Sequence, residues 1–173
     1  MNNHVMLDIE TMGTGANACI ASIGLVRFCV SSIGECEIID TAYYLPKWEG
    51  DMDYSTVQWW LTQTVEAQKN LVAMDDKNKM PLSAVLIETV RFVGDEPIWG
   101  NGSDFDNMIV LSHCKRLGIK GWSYRNNRCF RTVKNLYAAK AYTKPEIPHH
   151  ALYDAIAQAK TLVNISVMNG IPL

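Results

Sequence analysis

Hydrophobic and polar positions follow a strand-like period in the first quarter of the chain and mostly a helix-like period afterwards. Strands are predicted near residues 4–10, 19–31 and 35–46, and a turn at 31–34 joins the last two into an antiparallel meander. Further on, the pattern predicts two short strands and six helices. The strands lie near 97–100 and 128–131, and the helices near 55–63, 65–74, 82–93, 104–117, 133–141 and 150–168. This order predicts an α/β protein whose mixed five-stranded sheet, three antiparallel strands and then parallel crossovers, is flanked by helices.

The position at which the last predicted helix starts decides whether His149 and Asp154 can face the same site. His149 and Asp154 are five positions apart and would diverge by about 140° on one continuous helix. Pro148 disfavours helical geometry just before it, so we expect the helix to start near His150 or Ala151 and His149 to lie in the preceding loop. An apolar stripe then follows at helical spacing, with Asp154 roughly opposite. The stripe consists of Leu152, Ile156, Ala159, Val163 and Val167.

Composition sets broad limits on the protein. With 173 residues, 48% of them hydrophobic, the chain is long enough to bury a substantial core, and we expect one domain over residues 1–173. The net charge of −2 argues against a broad electrostatic grip on duplex DNA. The longest apolar run, at residues 20–30, is interrupted by Arg27 and is too short to span a membrane. No export signal is visible, so we expect a cytoplasmic protein. The five cysteines lack Cys-x2-Cys spacing, which favours reduced thiols.

The first strand ends in two acids, Asp8 and Glu10. Side chains alternate along a strand, so both carboxylates project from one face, about 7 Å apart. No Lys or Arg lies within six residues on either side, and a divalent cation would relieve their repulsion. The glycine-rich turn at 13–15 follows, and ligand sites of α/β sheets lie beyond strand carboxyl ends. The alternative is a strand end that runs out into solvent.

A second acidic pair, Asp104 and Asp106, lies near the start of the helix predicted at 104–117. Ser103 or Asn101 is the expected helix cap, and Gly118 the expected end. Carboxylates are favoured in a first helical turn by the helix dipole, so ordinary helix-start chemistry explains this pair equally well.

Together these segments resemble a known family. Asp-x-Glu on the first strand, Phe-Asp at a mid-chain helix start and His-x4-Asp near residue 150 resemble, in order, the motifs of the DEDDh 3′–5′ exonucleases. The resemblance spans almost the whole chain and implies an RNase H-like fold. Segments 20–24 and 56–63 are most similar to the small phage and bacterial branch, which carries exodeoxyribonuclease-VIII-like names and includes a mycobacterial exoribonuclease.

The resemblance implies specific roles. Asp8, Glu10, Asp106 and Asp154 would be ligands of two divalent cations, Mg²⁺ or Mn²⁺, and His149 would be the general base. Asp104 and His150 are the rivals of Asp106 and His149, but the Phe-Asp pattern and the His-to-Asp interval favour the latter. Asn101 stands five residues before Asp106, where larger relatives often have Asn four before, so no role is carried over to it.

Substrate contacts are also implied. In the family, the residues just after the Glu contact the terminal nucleotide, which points to Thr11 and Met12. Trp59 shares a helix face with Gln63 and could stack on a base, or pack against a neighbouring loop. Trp60, on the other face, is expected in the core. A loose basic cluster could follow the phosphate backbone or be a solvated face. It consists of Lys115, Arg116, Lys120, Arg125, Arg128 and Arg131.

The expected function is therefore a metal-dependent 3′–5′ exonuclease that releases nucleoside 5′-monophosphates from single-stranded DNA or RNA with a free 3′-hydroxyl. No membrane partner is expected, and a homodimer is compatible with the resemblance. Two alternatives remain: an RNase H-like endonuclease or resolvase, and a non-catalytic partner-binding module. The residues do not choose between RNA and DNA, since that choice rests on a few contacts near the 2′ position.

Overall fold

The computed structural model describes residues 2–72, 79–137 and 141–173. Its strands are β1 (His4–Thr11), β2 (Ile20–Val30), β3 (Cys36–Tyr44), β4 (Ile98–Gly100) and β5 (Asn127–Cys129). Its helices are α1 (Tyr54–Leu61), α2 (Val65–Val72), α3 (Leu82–Val93), α4 (Asp106–Arg116), α5 (Phe130–Tyr137) and α6 (Ala151–Asn169). A short 3-10 turn at Tyr124–Asn126 precedes β5.

The five strands form one mixed sheet in the order β3-β2-β1-β4-β5. β1, β2 and β3 are antiparallel neighbours, whereas β4 pairs parallel to β1 and β5 parallel to β4. The predicted meander followed by parallel crossovers is confirmed.

Successive side chains of β1 point alternately into two apolar layers, one on each side of the sheet. Val5, Leu7 and Ile9 are buried in a cluster with residues of α3 and α4. Met6 faces the opposite side and packs in a cluster with residues of α5 and α6. Asp8 and Glu10 continue the side of Met6, so both carboxylates point to the face of the sheet covered by α6.

The start of α6 lies unusually close to the sheet at Gly24. Asp8 pairs with Gly24 across β1 and β2, and a Cβ atom added to Gly24 would lie 2.2 Å from the carbonyl carbon of Ala151. Only glycine permits this approach, which brings the first turn of α6 over the two strand carboxylates.

The buried side of α6 matches the predicted stripe except at its last member. Ala159 and Val163 are fully buried, Leu152 and Ile156 are partly buried against the same cluster, and Ala155, outside the predicted stripe, is fully buried as well. Val167, predicted as part of the stripe, is 49% exposed.

Helices α1 and α2 cover the end of β1 beyond the carboxylates. Their apolar residues pack with those of the β1–β2 region in a third buried cluster, which contains Met12, Cys19, Ala21, Trp60, Ala67 and Leu71. The indole nitrogen of Trp60 donates to the Thr11 carbonyl oxygen at 2.9 Å. The core position predicted for Trp60 is confirmed.

Several boundaries differ from the prediction. α4 begins at Asp106 rather than 104, and its N-cap residue, Phe105, makes no side-chain cap hydrogen bond. The predicted cap by Ser103 or Asn101 is therefore wrong. α5 begins at Phe130, directly after β5, rather than at 133. The predicted ends of two helices and the charged turn at 75–79 fall largely on 73–78 and 138–140, outside the described residues.

All five cysteines are free. Among the described residues, no helix combines the length and apolarity needed to cross a membrane.

Candidate active site

Three carboxylates converge between β1 and α6. One carboxylate oxygen from each of Asp8, Glu10 and Asp154 lies within 4.8 Å of the other two. Asp8 and Glu10 come from one face of β1, and Asp154 from the first turn of α6. Since carboxylate oxygens are the ligands that hard divalent cations prefer, this donor set fits such an ion.

Asp106 joins the group from the start of α4, through backbone contacts that the sequence pattern did not predict. Its Oδ1 accepts from the Ile9 N–H at 3.2 Å, and its Oδ2 from the Asn101 N–H at 2.6 Å. The contact with Ile9 forms where β1 extends beyond the short strand β4, so the N–H group has no partner strand there. Asp104, its rival in the sequence, is exposed and lies outside the cavity lined by the carboxylates.

Burial makes the strand carboxyls hard to ionise. It raises the pKa of Asp8 well above its usual range, and the charges of Asp106, Glu10 and Asp154 add to the effect. Burial, with the charges of Asp154 and Asp106, raises the pKa of Glu10 to about 8. Without a cation, the cluster therefore holds protons at neutral pH, and a bound cation would favour their release.

Hydrogen bonds limit the rise in pKa of the two acids at helix starts, Asp106 and Asp154. Burial raises the pKa of Asp106 to about 6, against the opposing effect of the Asn101 and Ile9 N–H donors. Burial also raises the pKa of Asp154, while the His150 N–H, which donates to Asp154 Oδ2 at 3.0 Å, acts in the opposite direction.

His149 and His150 face different surroundings. His149 has a φ of 59° and is the only non-glycine residue with positive φ in the described ranges. Its ring lines the carboxylate cavity and meets Trp59 edge-on, with ring centroids 5.1 Å apart. His150 stacks on Tyr43 at 4.3 Å, away from the carboxylate cavity, and burial lowers its pKa. The predicted position of His149 before the helix is confirmed by the start of α6 at Ala151.

Two adjoining cavities form the site. The first, here called the carboxylate cavity, has a volume of about 230 Å³. It is lined by Asp8, Ile9, Glu10, Asn101, Phe105, Asp106, Arg131, His149, Asp154 and Gln158. The second, here called the aromatic cavity, has a volume of about 320 Å³ and shares Ile9, Glu10 and Phe105 with the first. Its other lining residues are Thr11, Thr14, Ser55, Thr56, Trp59 and Trp60.

The predicted substrate contacts divide into two groups. Thr11 and the 44%-exposed Trp59 line the aromatic cavity. Met12 and Gln63 do not line it. The Met12 side chain is buried under α1 and α2, and the Gln63 amide donates to the Trp59 carbonyl oxygen at 3.1 Å.

Sequence reasoning missed two polar residues of the carboxylate cavity. Gln158 follows Asp154 by four positions on α6. This spacing puts both side chains on one helix face, so it could have indicated that Gln158 reaches the same cavity as Asp154. Arg131 was grouped with five other basic residues, but of that cluster only Arg131 lines this cavity. No sequence pattern distinguished it from the others.

The site has the residue types and order of the DEDDh motifs, and a family match decides the identity. The family described as 3′-5′ exoribonuclease Rv2179c-like domain matches residues 3–166. The chain belongs to this family. It is thus a 3′–5′ exonuclease, and the predicted resemblance is confirmed. No protein of curated function matches the chain in sequence.

Solved structures share the fold of this family member. One is the nuclease domain of 3′hExo, a DEDDh family member, bound to rAMP, with a TM-score of 0.65 and 15% identity over 99% of this chain and 94% of the other. Another is Exonuclease X in complex with 5′ overhanging duplex DNA, with a TM-score of 0.58 and 16% identity over 96% of this chain and 93% of the other. The predicted RNase H-like architecture is confirmed.

Proposed function

We propose that this exonuclease removes nucleoside 5′-monophosphates one at a time from single-stranded nucleic acid with a free 3′-hydroxyl, and that it requires two divalent cations, Mg²⁺ or Mn²⁺. One observation carries the proposal. Four carboxylates and His149, which are up to 146 positions apart in sequence, line a single cavity at the carboxyl end of β1.

Asp8, Glu10, Asp106 and Asp154 are the residues that would hold the cations. Their oxygens suit hard cations, and burial raises the pKa values of Asp8 and Glu10, so that cation binding and carboxylate ionisation would support each other. When bound, a cation pair supplies positive charge for the attacking and leaving oxygens of a phosphoryl displacement.

His149 is proposed as the general base. Its ring lines the same cavity as the four carboxylates, and its position before α6 leaves its backbone outside the helix. From there the imidazole would accept the proton of the attacking water. Trp59 and Trp60 surround the ring edge-on, at 5.1 and 6.0 Å, and limit its orientations.

The aromatic cavity is proposed to hold the terminal nucleoside. It adjoins the carboxylates at Glu10 and presents Trp59 and Phe105, whose rings could contact a base. The structural neighbours support a nucleic-acid ligand in this fold, since the 3′hExo domain is bound to rAMP and Exonuclease X to duplex DNA. The family description favours RNA.

The function is tested with 5′-labelled single-stranded RNA and DNA of matched sequence. We expect a ladder that shortens from the 3′ end, loss of activity in EDTA and recovery with Mg²⁺ or Mn²⁺. A 3′-phosphate should block the reaction, and circular strands should resist it.

Asp106→Asn and Asp104→Asn form a matched pair for the same assay. Asp106 lines the carboxylate cavity and Asp104 is exposed outside it, so only the first variant should lose activity. Cleavage of circular strands would favour an endonuclease, and absence of any cleavage a binding module. Either result would overturn the proposed function.

A further inference from the structure

The Asp8 carboxylate is held from α6 by a residue that the DEDDh motifs do not include. Gln158 Nε2 donates to Asp8 Oδ1 at 2.7 Å, and 150 positions separate the two residues in the chain. Gln158 follows Asp154 by one helical turn, so α6 presents both side chains to the same cavity.

This hydrogen bond has a specific effect on the cluster. It occupies one oxygen of Asp8 and fixes the rotation of its carboxylate beside Glu10 and Asp154, against the repulsion among the three acids. In metal sites generally, groups that orient ligands contribute about 10–100-fold to metal affinity or activity.

An amide suits this position better than a charged group would. A carboxylate would add a further acid to the cluster, and an ammonium group would compete with a cation for Asp8. The other end of the amide, Oε1, is buried and has no partner among the described residues. Gln158 also lines a cavity of about 100 Å³ behind the site, with polar residues such as Asn101 and Thr161.

We propose that Gln158 is a positioning residue, which orients Asp8 for cation binding while Asp154 on the same helix serves as a ligand. Helix α6 would thus determine the placement of two of the four carboxylates. The inference rests on the proposed function, because it assumes that the carboxylates bind divalent cations.

The test compares wild type, Gln158→Leu and the matched control Asn164→Leu. Asn164 is also an amide on α6, but its Nδ2 donates to the Ala141 carbonyl oxygen at 3.3 Å, away from the carboxylates. Mn²⁺ affinity is measured by calorimetry, the exonuclease rate is measured against Mn²⁺ concentration, and thermal unfolding is measured in EDTA.

We expect Gln158→Leu to weaken Mn²⁺ binding by about 10–100-fold and to regain much of its rate at saturating Mn²⁺. Asn164→Leu should bind Mn²⁺ like the wild type. Unchanged Mn²⁺ affinity in Gln158→Leu would overturn the inference, whether or not its thermal stability falls. If the wild type binds no Mn²⁺ and makes no 3′ ladder, the proposed function itself has failed.

Discussion

A single backbone angle gives two adjacent histidines different surroundings. The positive φ of His149 turns the chain just before α6, and His149 lines the carboxylate cavity while His150 stacks on Tyr43 of β3. A non-glycine residue in this region costs about 1–3 kcal/mol, which the packing around the loop must offset. Strain of this kind is typical of functional sites.

His149→Ala should therefore impair catalysis, and His150→Ala should impair stability. His149→Ala should lower the rate of the chemical step by about 10²–10⁴-fold while Mn²⁺ affinity is retained, because the imidazole is proposed as the general base and not as a ligand. His150→Ala should keep most activity but lose the stack on Tyr43, worth about 1 kcal/mol, and so lower the melting temperature by roughly 2–4 °C. Single-turnover rates, calorimetry and thermal melts of both variants make the comparison.

The reverse pattern, with His150→Ala inactive and His149→Ala merely less stable, would show that the catalytic base is wrongly assigned. Loss of Mn²⁺ binding in His149→Ala would instead make His149 a ligand.

At the level of elements, α5 follows β5 without a loop, and this connection brings Arg131 to the site. Because α5 begins at Phe130, Arg131 lies in its first turn and reaches the carboxylate cavity, where its charge partly offsets the rise in the pKa of Asp106 that burial causes. Arg128 lies two residues before α5. Its guanidinium donates to the carbonyl oxygens of Arg125 and Asn127 and lines a different cavity, near His4.

Arg131→Gln should raise KM more than it lowers kcat, because we expect the Arg131 guanidinium to contact a substrate phosphate and not the reacting atoms. The slope of log affinity against log salt should fall by about 0.7, the value for one phosphate contact on a single strand. The measurement is binding and turnover of a short oligonucleotide across a salt series, with Arg128→Gln as the matched control. Equal effects of the two variants would indicate a diffuse basic surface without a defined phosphate contact.

On the scale of the whole molecule, the carboxylate cluster should make the free energy of unfolding depend on pH. Burial raises the pKa of Glu10 from 4.5 to about 8 in the folded state, so between these values the folded protein keeps a proton that the unfolded chain has lost. The free energy of unfolding should then decrease as pH rises through this window, with the full stabilisation present below it. Divalent cations should reverse the trend, because they favour the ionised form.

The check is a series of thermal melts in EDTA from pH 5 to pH 9. Glu10→Gln, which cannot ionise, should show a flatter profile than the wild type and a higher melting temperature near pH 8. Glu35→Gln is the control, since Glu35 is exposed on the turn between β2 and β3. A wild-type profile as flat as that of Glu10→Gln would contradict the raised pKa.

The sequence predicted those parts of the fold and site that depend on local periodicity. Alternation along β1 placed Asp8 and Glu10 on one face, and Pro148 placed His149 before a helix. What could not be predicted depends on contacts between distant segments. Asp106 is held by the Ile9 N–H, 97 positions away, and no local pattern indicates such a bond. The same is true of Gln158 and of the burial of Met12 beneath α1 and α2.

The 150-position span between Asp8 and Gln158 has a consequence for synthesis on the ribosome. β1 is made early and α6 late, so a growing chain carries Asp8 and Glu10 long before Asp154 and Gln158 exist. Contacts of such long range also form late in folding, because their loop-closure entropy must first be overcome. A nascent or prematurely terminated chain without α6 therefore lacks Asp154, one of the four proposed cation ligands. With the proposed ligands, the nuclease would become able to cut nucleic acid only after α6 has been made and has docked on the sheet.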